Sequence, residues 1–500
     1  MIRFEEVPAL LADLLERPLP PGWPRGEVGS VEQDSRRIRP PGLFVCVAGT
    51  HEDGRRFLDD AARRGAAAAI GPATEVEEAA PPVPYAAVRD PRRASAILSA
   101  RHHGDPSHFL DLIGITGTNG KTTTSWLLQA IWEGCGLPAA VSGTLGAGRP
   151  GALRAATHTT PEAPRFQASL RELLAEGYRA VAAEVSSHAL DQDRVYATRF
   201  RAAVFTNLTR DHLDYHGTLD AYAAAKAKLF HPEGRGDASP CIAVMNLDDA
   251  ASSKLRAGSP DPLFGYGTRP ACAIRLESLE ATPEGLRLRV LTPRGARTVR
   301  SPLIGTFNGW NLLAAYATAW ACGLPPDAVE ERLARGVRVP GRMERIERGQ
   351  PFLVVVDYAH TPDALARAIE ALRPQTRGRL TVLFGCGGDR DHGKRPEMGR
   401  IAAERADRVI VTSDNPRSED PRSILEAIVE GVREAGREPD LVTLDREEAI
   451  FAAVAGAGSQ DALLIAGKGH EDYQETAQGK RPFDDREVAA RALASQGWGP

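Results

Sequence analysis

Six cysteines among 500 residues, at positions 46, 135, 241, 272, 322 and 386, never form a C-x-x-C pair. Neither a disulfide framework nor a zinc knuckle is indicated, and a reducing, cytoplasmic setting is expected. The chain also lacks an excess of positive charge. A formal net charge of -4 leaves no electrostatic footprint for nucleic acid and points to small-molecule partners. No uncharged apolar run approaches the ~18 residues of a membrane span, and Glu5, Glu6 and Asp13 interrupt the N-terminus, so a signal peptide and a membrane span are both disfavoured. Repeats and low-complexity tracts are missing as well. What remains, 42% hydrophobic and 26% charged residues, is an ordinary globular composition.

At about 150 residues per domain this length predicts roughly three domains. The first hundred residues hold a strand-like "GLFVCVAG", a helical "RRFLDDAARRGA" and an apolar "AAAIG", which make a small α/β unit. The stretch "RHHGDPSHF" at 101–109 suits a linker, and "LDLIGITG" then opens a second domain. There "RAVAAEVSSHAL" and "AAVFTNL" read as strands and "LDAYAAAKAKLF" as a helix, an alternation that argues for a mostly parallel sheet. Pro and Gly interrupt the pattern at "RVPGRMER". Beyond it, "FLVVVDYAH", "RLTVLFGCGG", "RVIVTSDNPR" and "ALLIAGKGHE" read as strands that each end in polar or glycine residues, where open α/β sheets place their ligands. The fold class expected is α/β. It comprises a small N-terminal α/β domain (1–108), a central P-loop-type domain with a mostly parallel sheet (109–339) and a C-terminal Rossmann-like sheet (340–500).

"GITGTNGKTTT" lies between a strand and a helix start, which aims backbone N–H groups and the positive end of the helix dipole at one point. Lys121 would meet terminal phosphates and the Thr122 hydroxyl would bind Mg²⁺. Yet the common G-x-x-x-x-G-K-[ST] spelling fails, because position 115 is Ile and the glycines fall at 114 and 117. In "EVSSHALDQDRV" a serine next to a histidine could suggest a hydrolase, but the G-x-S-x-G elbow is absent. His212 and His216, four apart beside Asp211 and Asp214, could form a metal pair on a helix, although no zinc-type H-E-x-x-H or third ligand is present. "GCGG" fails the G-x-G-x-x-G test for a dinucleotide site.

"TGTNGKT", "EVSSH", "TNLTRDHLDYHGTLDAYAAAKAKLF" and "DNPR" together resemble the Mur ligases, ATP-dependent enzymes of bacterial cell-wall precursor synthesis, in their MurE-type branch. The resemblance spans Gln33 to Glu471. It implies that Thr116, Gly117, Thr118, Asn119, Gly120, Lys121 and Thr122 bind ATP, joined by Asn308, Asn311, Arg342 and Asp357, with His360 beside the last. Catalytic roles fall on Lys121, Glu184, His212 and Lys226. Two Mg²⁺ ions would be held by Thr122, Glu184, His212 and Lys226, the lysine carrying a CO₂-derived carbamate. Carbamylation needs a neutral amine and yields the oxygen anion that hard Mg²⁺ prefers. Lys228 is the rival position, with a solvated helix face as its bland reading.

The same resemblance assigns UDP-MurNAc-dipeptide binding to Gln33, Ser35, Thr50, His51, Glu52, His158, Thr159, Thr160, Ser186, Gln192 and Arg194. It assigns diaminopimelate binding to Arg390, Asp414, Asn415, Pro416, Arg417, Gly467 and Glu471. The sequence departs from the family pattern at His158, where an amide is usual, and at "RPPGLF" in place of "RPGDLF". The activity implied is addition of meso-diaminopimelate to UDP-MurNAc-L-Ala-D-Glu through an acyl phosphate, by a monomer without nucleic-acid or membrane partners. L-lysine or L-ornithine are alternative amines. A folylpolyglutamate synthase and a non-catalytic nucleotide switch are rival readings.

Overall fold

The computed structural model describes residues 1–49, 52–73, 81–282 and 284–499. Near the N-terminus, β1 (Ser30–Glu32), β2 (Gly42–Val45), β3 (Ala66–Gly71) and β4 (Tyr85–Ala87) form one parallel sheet in chain order. The helix Pro91–His102 follows, capped by Asp90 with proline at its start. The linker expected at 101–109 is shorter than its composition suggests. Only residues 103–105 break the helical pattern, with Gly104 at φ 73° and Asp105 at φ 49°, before a 3₁₀ turn opens at Pro106.

Next come β5 (Asp111–Thr116), β6 (Ala139–Gly143), β7 (Gly146–Arg149), β8 (Ala152–Arg154), β9 (Ala180–Glu184), β10 (Ala202–Phe205), β11 (Ile242–Asn246) and β12 (Leu263–Gly267). Their order is β12-β11-β10-β5-β9-β6-β7-β8, parallel from β12 to β6 and antiparallel across β7 and β8. Strands β5, β9 and β10 are buried along nearly their whole length, which is why they read as continuous apolar runs and not as alternating ones. The strand expected through "RAVAAEVSSHAL" stops at Glu184. Ser186 accepts a hydrogen bond from the Ala189 N–H and starts the helix Ser187–Asp191, so "SSHAL" is a capped helix. These elements belong to one compact unit, Met1–Arg275 with Leu291–Arg294 and Leu312–Val329.

The other unit takes Leu276–Val290, Gly295–Asn311 and Glu330–Pro500. Through this stretch run β13 (Ile274–Thr282), β14 (Gly285–Thr292), β15 (Gly295–Ser301), β16 (Glu344–Arg345), β17 (Leu353–Asp357), β18 (Leu380–Phe384), β19 (Arg408–Thr412), β20 (Leu441–Thr443), β21 (Ala462–Ala466), β22 (Tyr473–Thr476) and β23 (Gly479–Pro482). The sheet β16-β17-β21-β18-β19-β20 is parallel apart from β16. Val355, Val382, Val411 and Leu464 enter one apolar layer, and Val354, Leu383, Ile410 and Leu463 the opposite one, as period-2 alternation requires in a sheet covered on both faces. Loops at the carboxyl ends of β17, β18, β19 and β21 therefore gather on one edge. Both large sheets are α/β and mostly parallel, as the sequence predicts.

Candidate active site

The odd glycine spacing has a structural reason. Ile115 is a fully buried residue of β5, and the turn proper is only residues 117–120, before the helix Lys121–Gly134. Gly117 sits at φ 152°, and a Cβ there would fall 1.9 Å from Thr206 Oγ1; Gly120 sits at φ 88°. Glycine is needed at these two positions for different reasons, contact at one and left-handed backbone at the other. The segment after β10 holds the turn: Thr118 N–H donates to the Asn207 carbonyl at 2.8 Å and Asn119 N–H to Asn207 Oδ1 at 3.0 Å. Lys121 Nζ folds back onto the Gly117 and Thr118 carbonyls at 2.8 and 2.9 Å. Thr116 lies in β5, and the N–H groups of residues 120–122 open the helix, the arrangement that receives a phosphate.

Beside this turn, Glu184 at the end of β9 is 2% exposed and fully engaged. Thr122 Oγ1 donates to its Oε2 at 2.9 Å, Thr144 Oγ1 to Oε2 at 3.1 Å and Thr144 N–H to Oε1 at 3.0 Å. A Cβ on Gly143 would lie 2.1 Å from Oε1, so glycine is what lets the carboxylate approach. A carboxylate and a hydroxyl at a helix start are hard oxygen donors, and this pair fits Mg²⁺.

His212 caps the four-residue helix Leu213–His216 in a left-handed conformation, φ 52°. The metal pair of His212 and His216 on one helix face does not form. His216 Nε2 instead lies 3.0 Å from Ser187 Oγ, a pairing that spans 29 residues and has no local signal. The rings of His188, His212, His216, Tyr215 and Tyr222 pack together, with His188 and His212 centroids 4.9 Å apart. Burial, reinforced by the neighbouring imidazoles, pushes His188 down to about 4. Among the described residues no three His, Cys, Asp or Glu side chains converge as a metal cluster.

Lys226, 1% exposed, lies near the C-terminal end of the helix Leu219–Ala227. Its Nζ donates to the Gly117 carbonyl at 3.0 Å and sits 4.3 Å from the Tyr222 ring centre. Burial, and then the like charge of Lys121, hold its pKa well below the usual lysine value. Lys228 is not a solvated face: its Nζ reaches the Asp191 carbonyl at 3.0 Å and Asp193 Oδ1 at 3.4 Å. Lys226 is fully buried beside Lys121 whereas Lys228 is paired with Asp193, so the surroundings favour Lys226 as the neutral amine.

Thr160, Ser186, Gln192 and Arg194 also meet here. Thr160 Oγ1 donates to the Glu184 carbonyl at 2.8 Å and accepts from Ser186 N–H at 3.0 Å. Arg194 bonds Gln192 Oε1 at 2.7 Å, the Thr160 carbonyl at 2.9 Å and Glu162 at 2.7 Å. Thr159 pairs with Thr144 at 3.1 Å, whereas His158 is exposed and bonds the neighbouring Thr157 hydroxyl. Thr144, Glu162 and Tyr215 escaped the sequence reading. Gln33 donates to Ser95 Oγ at 2.8 Å and Ser35 to Asp60 Oδ2 at 2.7 Å, both within the N-terminal α/β layer. Glu52 is exposed beside Arg56, and Thr50 and His51 lie outside the described residues.

The second unit carries the other residues. Asn308 and Asn311, both buried, sit in the first turns of the helix Thr306–Ala321 and bond each other at 2.8 Å. Asp357 accepts from Met343 N–H at 2.7 Å and Ala359 N–H at 2.9 Å. Arg342 stacks over Tyr358 at 4.7 Å with its Nε buried and, among the described residues, without a hydrogen-bond partner, and His360 bonds the Tyr358 carbonyl.

Around the ends of β18, β19 and β21, Asn415 donates to Glu471 Oε2 at 2.8 Å, and Arg417 bonds the Gly388 carbonyl at 2.7 Å and pairs with Glu475 at 3.4 Å. Asp414 caps the Asn415 N–H at 2.7 Å and leaves room beside it only for Gly467, whose Cβ would lie 2.5 Å from Asp414 Oδ2. Pro416 presses its carbonyl against Gly388, and Arg390 is exposed on the neighbouring loop. Arg417 is therefore not an unpaired guanidinium awaiting a ligand.

Models of the Mur ligase middle domain and of the Mur ligase, glutamate ligase domain match residues 115–319 and 341–469. A UDP-N-acetylmuramoyl-L-alanyl-D-glutamate--2,6-diaminopimelate ligase of Ectopseudomonas mendocina is 47% identical over 471 residues, 92% of this chain and 94% of the relative. One from Solibacter usitatus is 44% identical and covers 97% of both. A solved structure of an enzyme with that name is 35% identical, covers 99% of both chains and superposes with a TM-score of 0.72. A folylpolyglutamate synthase of Mycobacterium tuberculosis, 19% identical at a TM-score of 0.60 over 82% of this chain and 95% of its own, shares the fold alone. With its glycine turn, its threonine–glutamate pair and this likeness along nearly its whole length, the chain belongs to the Mur ligase family.

Proposed function

We propose that the protein is an ATP-dependent ligase that joins meso-diaminopimelate to UDP-N-acetylmuramoyl-L-alanyl-D-glutamate in cytoplasmic peptidoglycan precursor synthesis. The observation that carries the reading is the amine-type cluster of Asn415, Arg417, Glu471 and Glu475 at the end of the parallel sheet, in a chain of this family. It offers a guanidinium for a carboxylate and carboxylates for ammonium groups. A carboxylate is a poor acyl donor. ATP therefore phosphorylates the D-glutamate γ-carboxylate, and the diamino acid's amine attacks the acyl phosphate to give a tetrahedral intermediate that expels phosphate.

Lys121 and the N–H groups of the helix start neutralise charge as the γ-phosphoryl group moves. Thr122 and Glu184 would hold Mg²⁺, with His212 and a carbamylated Lys226 holding a second ion; bound there, magnesium supplies further charge neutralisation on phosphate oxygens. Thr160, Ser186, Gln192 and Arg194 orient the muramoyl dipeptide, with Gln33, Ser35, Thr50, His51, Glu52, His158 and Thr159 completing that path. Asn308, Asn311, Arg342 and Asp357 serve the nucleotide. The first domain ends near residue 108 and the second near 339.

Arg417 already has protein partners, so its preference for a dicarboxylate comes from exchanging Glu475 for a substrate carboxylate. The discrimination expected from it is about 10²-fold in kcat/KM, below the ~10⁴-fold of a site left with an unpaired polar group. Product mass spectrometry with meso-diaminopimelate, L-lysine and L-ornithine competing at equal concentration tests the reading. The diaminopimelate adduct should dominate, and a dominant lysine or ornithine adduct overturns the amine assignment.

A further inference from the structure

Lys468 lies between Gly467 and Gly469 in the loop that follows β21. Its side chain is 0% exposed, and its Nζ donates to Asn415 Oδ1 at 3.1 Å and to Glu471 Oε2 at 3.0 Å. Gly467 at φ 112° and Gly469 at φ 54° give the turn that sends this lysine inward. A lysine with no exposure is unusual, and it is tolerated here because Glu471 pairs with it.

The consequence lies in Asn415. Its Oδ1 receives Lys468 Nζ and the Glu475 N–H (2.9 Å), while its Nδ2 donates to Glu471 Oε2 at 2.8 Å. An ammonium and a backbone N–H only donate, and a carboxylate only accepts, so the amide has one permitted orientation. Glu471 is fixed by the same bonds. Both donors meet Oε2, and among the described residues no hydrogen bond reaches Oε1. Glu471 thus keeps one oxygen for a ligand ammonium.

The charges matter as much as the geometry. Lys468 and Arg417 balance Glu471 and Glu475, and Arg390 and Asp414 stand in the adjoining loops. A diamino dicarboxylate is net neutral near pH 7, whereas a diamino monocarboxylate is net positive. A balanced site favours the first, and a site short of one cation favours the second.

Resting on the amine-ligase reading above, we propose that Lys468 is a positioning and specificity-determining residue. It locks Asn415 and Glu471 and supplies the cation that keeps the amine site selective for a dicarboxylate diamino acid. The test uses Lys468→Met and Lys468→Arg in the full-length protein, with ATP and the muramoyl dipeptide saturating, and compares kcat/KM for meso-diaminopimelate and L-lysine.

In Lys468→Met the KM for diaminopimelate should rise at least about tenfold and its advantage over lysine should shrink at least about tenfold, with the KM for ATP within about twofold of wild type. Lys468→Arg keeps the cation and should hold the ratio within about threefold. Equal losses for both amines in Lys468→Met, or a parallel rise in the KM for ATP, would mean that Lys468 only supports the fold and would overturn the proposal. Should Lys468→Met fail to fold, by circular dichroism and thermal melting, a collapsed ratio in folded Lys468→Arg overturns the proposal and a preserved ratio supports it. The wild-type preference separates the two readings. A wild type that favours lysine refutes the substrate assignment, while a ratio that still moves toward lysine in Lys468→Met sustains the role of Lys468.

Discussion

Replacing Asp485 with alanine would strip the acid from a guanidinium with no exposed surface. Arg446 and Asp485 are each 0% exposed, with Arg446 Nε on Asp485 Oδ1 and Nη2 on Oδ2, both at 2.7 Å. The remaining donors go to the Ser413 carbonyl at 3.2 Å and the Ala466 carbonyl at 2.9 Å, which tie the ends of β19 and β21 to the helices Arg446–Ala455 and Asp485–Ser495. The alanine variant keeps those two carbonyl contacts but leaves a buried, uncompensated charge, a defect of about 3–5 kcal/mol. For a cooperative body of 150–250 residues, at ~2–4 °C per kcal/mol, melting of the second unit should fall by about 6–20 °C. Arg446→Met with Asp485→Leu removes both charges and should recover most of that loss, because the penalty belongs to the broken pair. Differential scanning calorimetry of wild type, both single variants and the double variant measures each quantity. A single-variant loss below about 1 kcal/mol, or a double variant as unstable as the two losses summed, would refute the reasoning.

Two further predictions come from a buried lysine and a half-buried glutamate in the first unit. Lys226→Ala should suppress product formation while nucleotide binding persists, and ¹³C-labelled bicarbonate should give a carbamate NMR signal in wild type that Lys226→Ala lacks and Lys228→Ala retains; a signal lost only in Lys228→Ala would move the modification. Burial, against the pull of Arg37, Arg165 and Arg39, raises Glu32 from 4.5 to about 7, so the folded state holds a proton that the unfolded chain has released between those values. Stability should therefore fall as pH rises from 4.5 to 7, by at most about 3 kcal/mol, and urea melts of Glu32→Gln should show a flatter dependence; an unchanged slope would exclude Glu32 as the source.

The strands and the glycine turn were legible because their signals are local. Continuous apolar runs marked β5, β9 and β10, and the residues of the turn specified a phosphate-type loop even with its spacing altered. Other features rest on contacts between distant residues. The helix Leu219–Ala227 is rich in alanine and shows no apolar face, so nothing in its periodicity separates a buried Lys226 from an exposed one. The Ser187–His216 pair has no local pattern either, and "SSHAL" was misread because its serine cap resembles the end of a strand as readily as the start of a helix. Lys468 meets Asn415 across 53 positions and Arg446 meets Asp485 across 39, so each cation reads in sequence as a solvated turn or helix start.

Partners, more than burial, distinguish what these three interior cations do. Arg446 is matched by both oxygens of a buried acid and by two strand-end carbonyls, so its charge is committed to the fold. Lys468 shares one oxygen of Glu471 and leaves the other without a hydrogen bond among the described residues, so its charge is partly committed and sets the field at a ligand position. Among the described residues no carboxylate lies within ion-pair distance of Lys226, which has a carbonyl, an aromatic face and the repulsion of Lys121. A lysine so placed is stabilised by losing its proton, and a neutral amine is the form that the proposed carbamylation by CO₂ would require. The acid each buried cation meets, or fails to meet, thus separates the structural role of Arg446 from the roles proposed for Lys468 and Lys226.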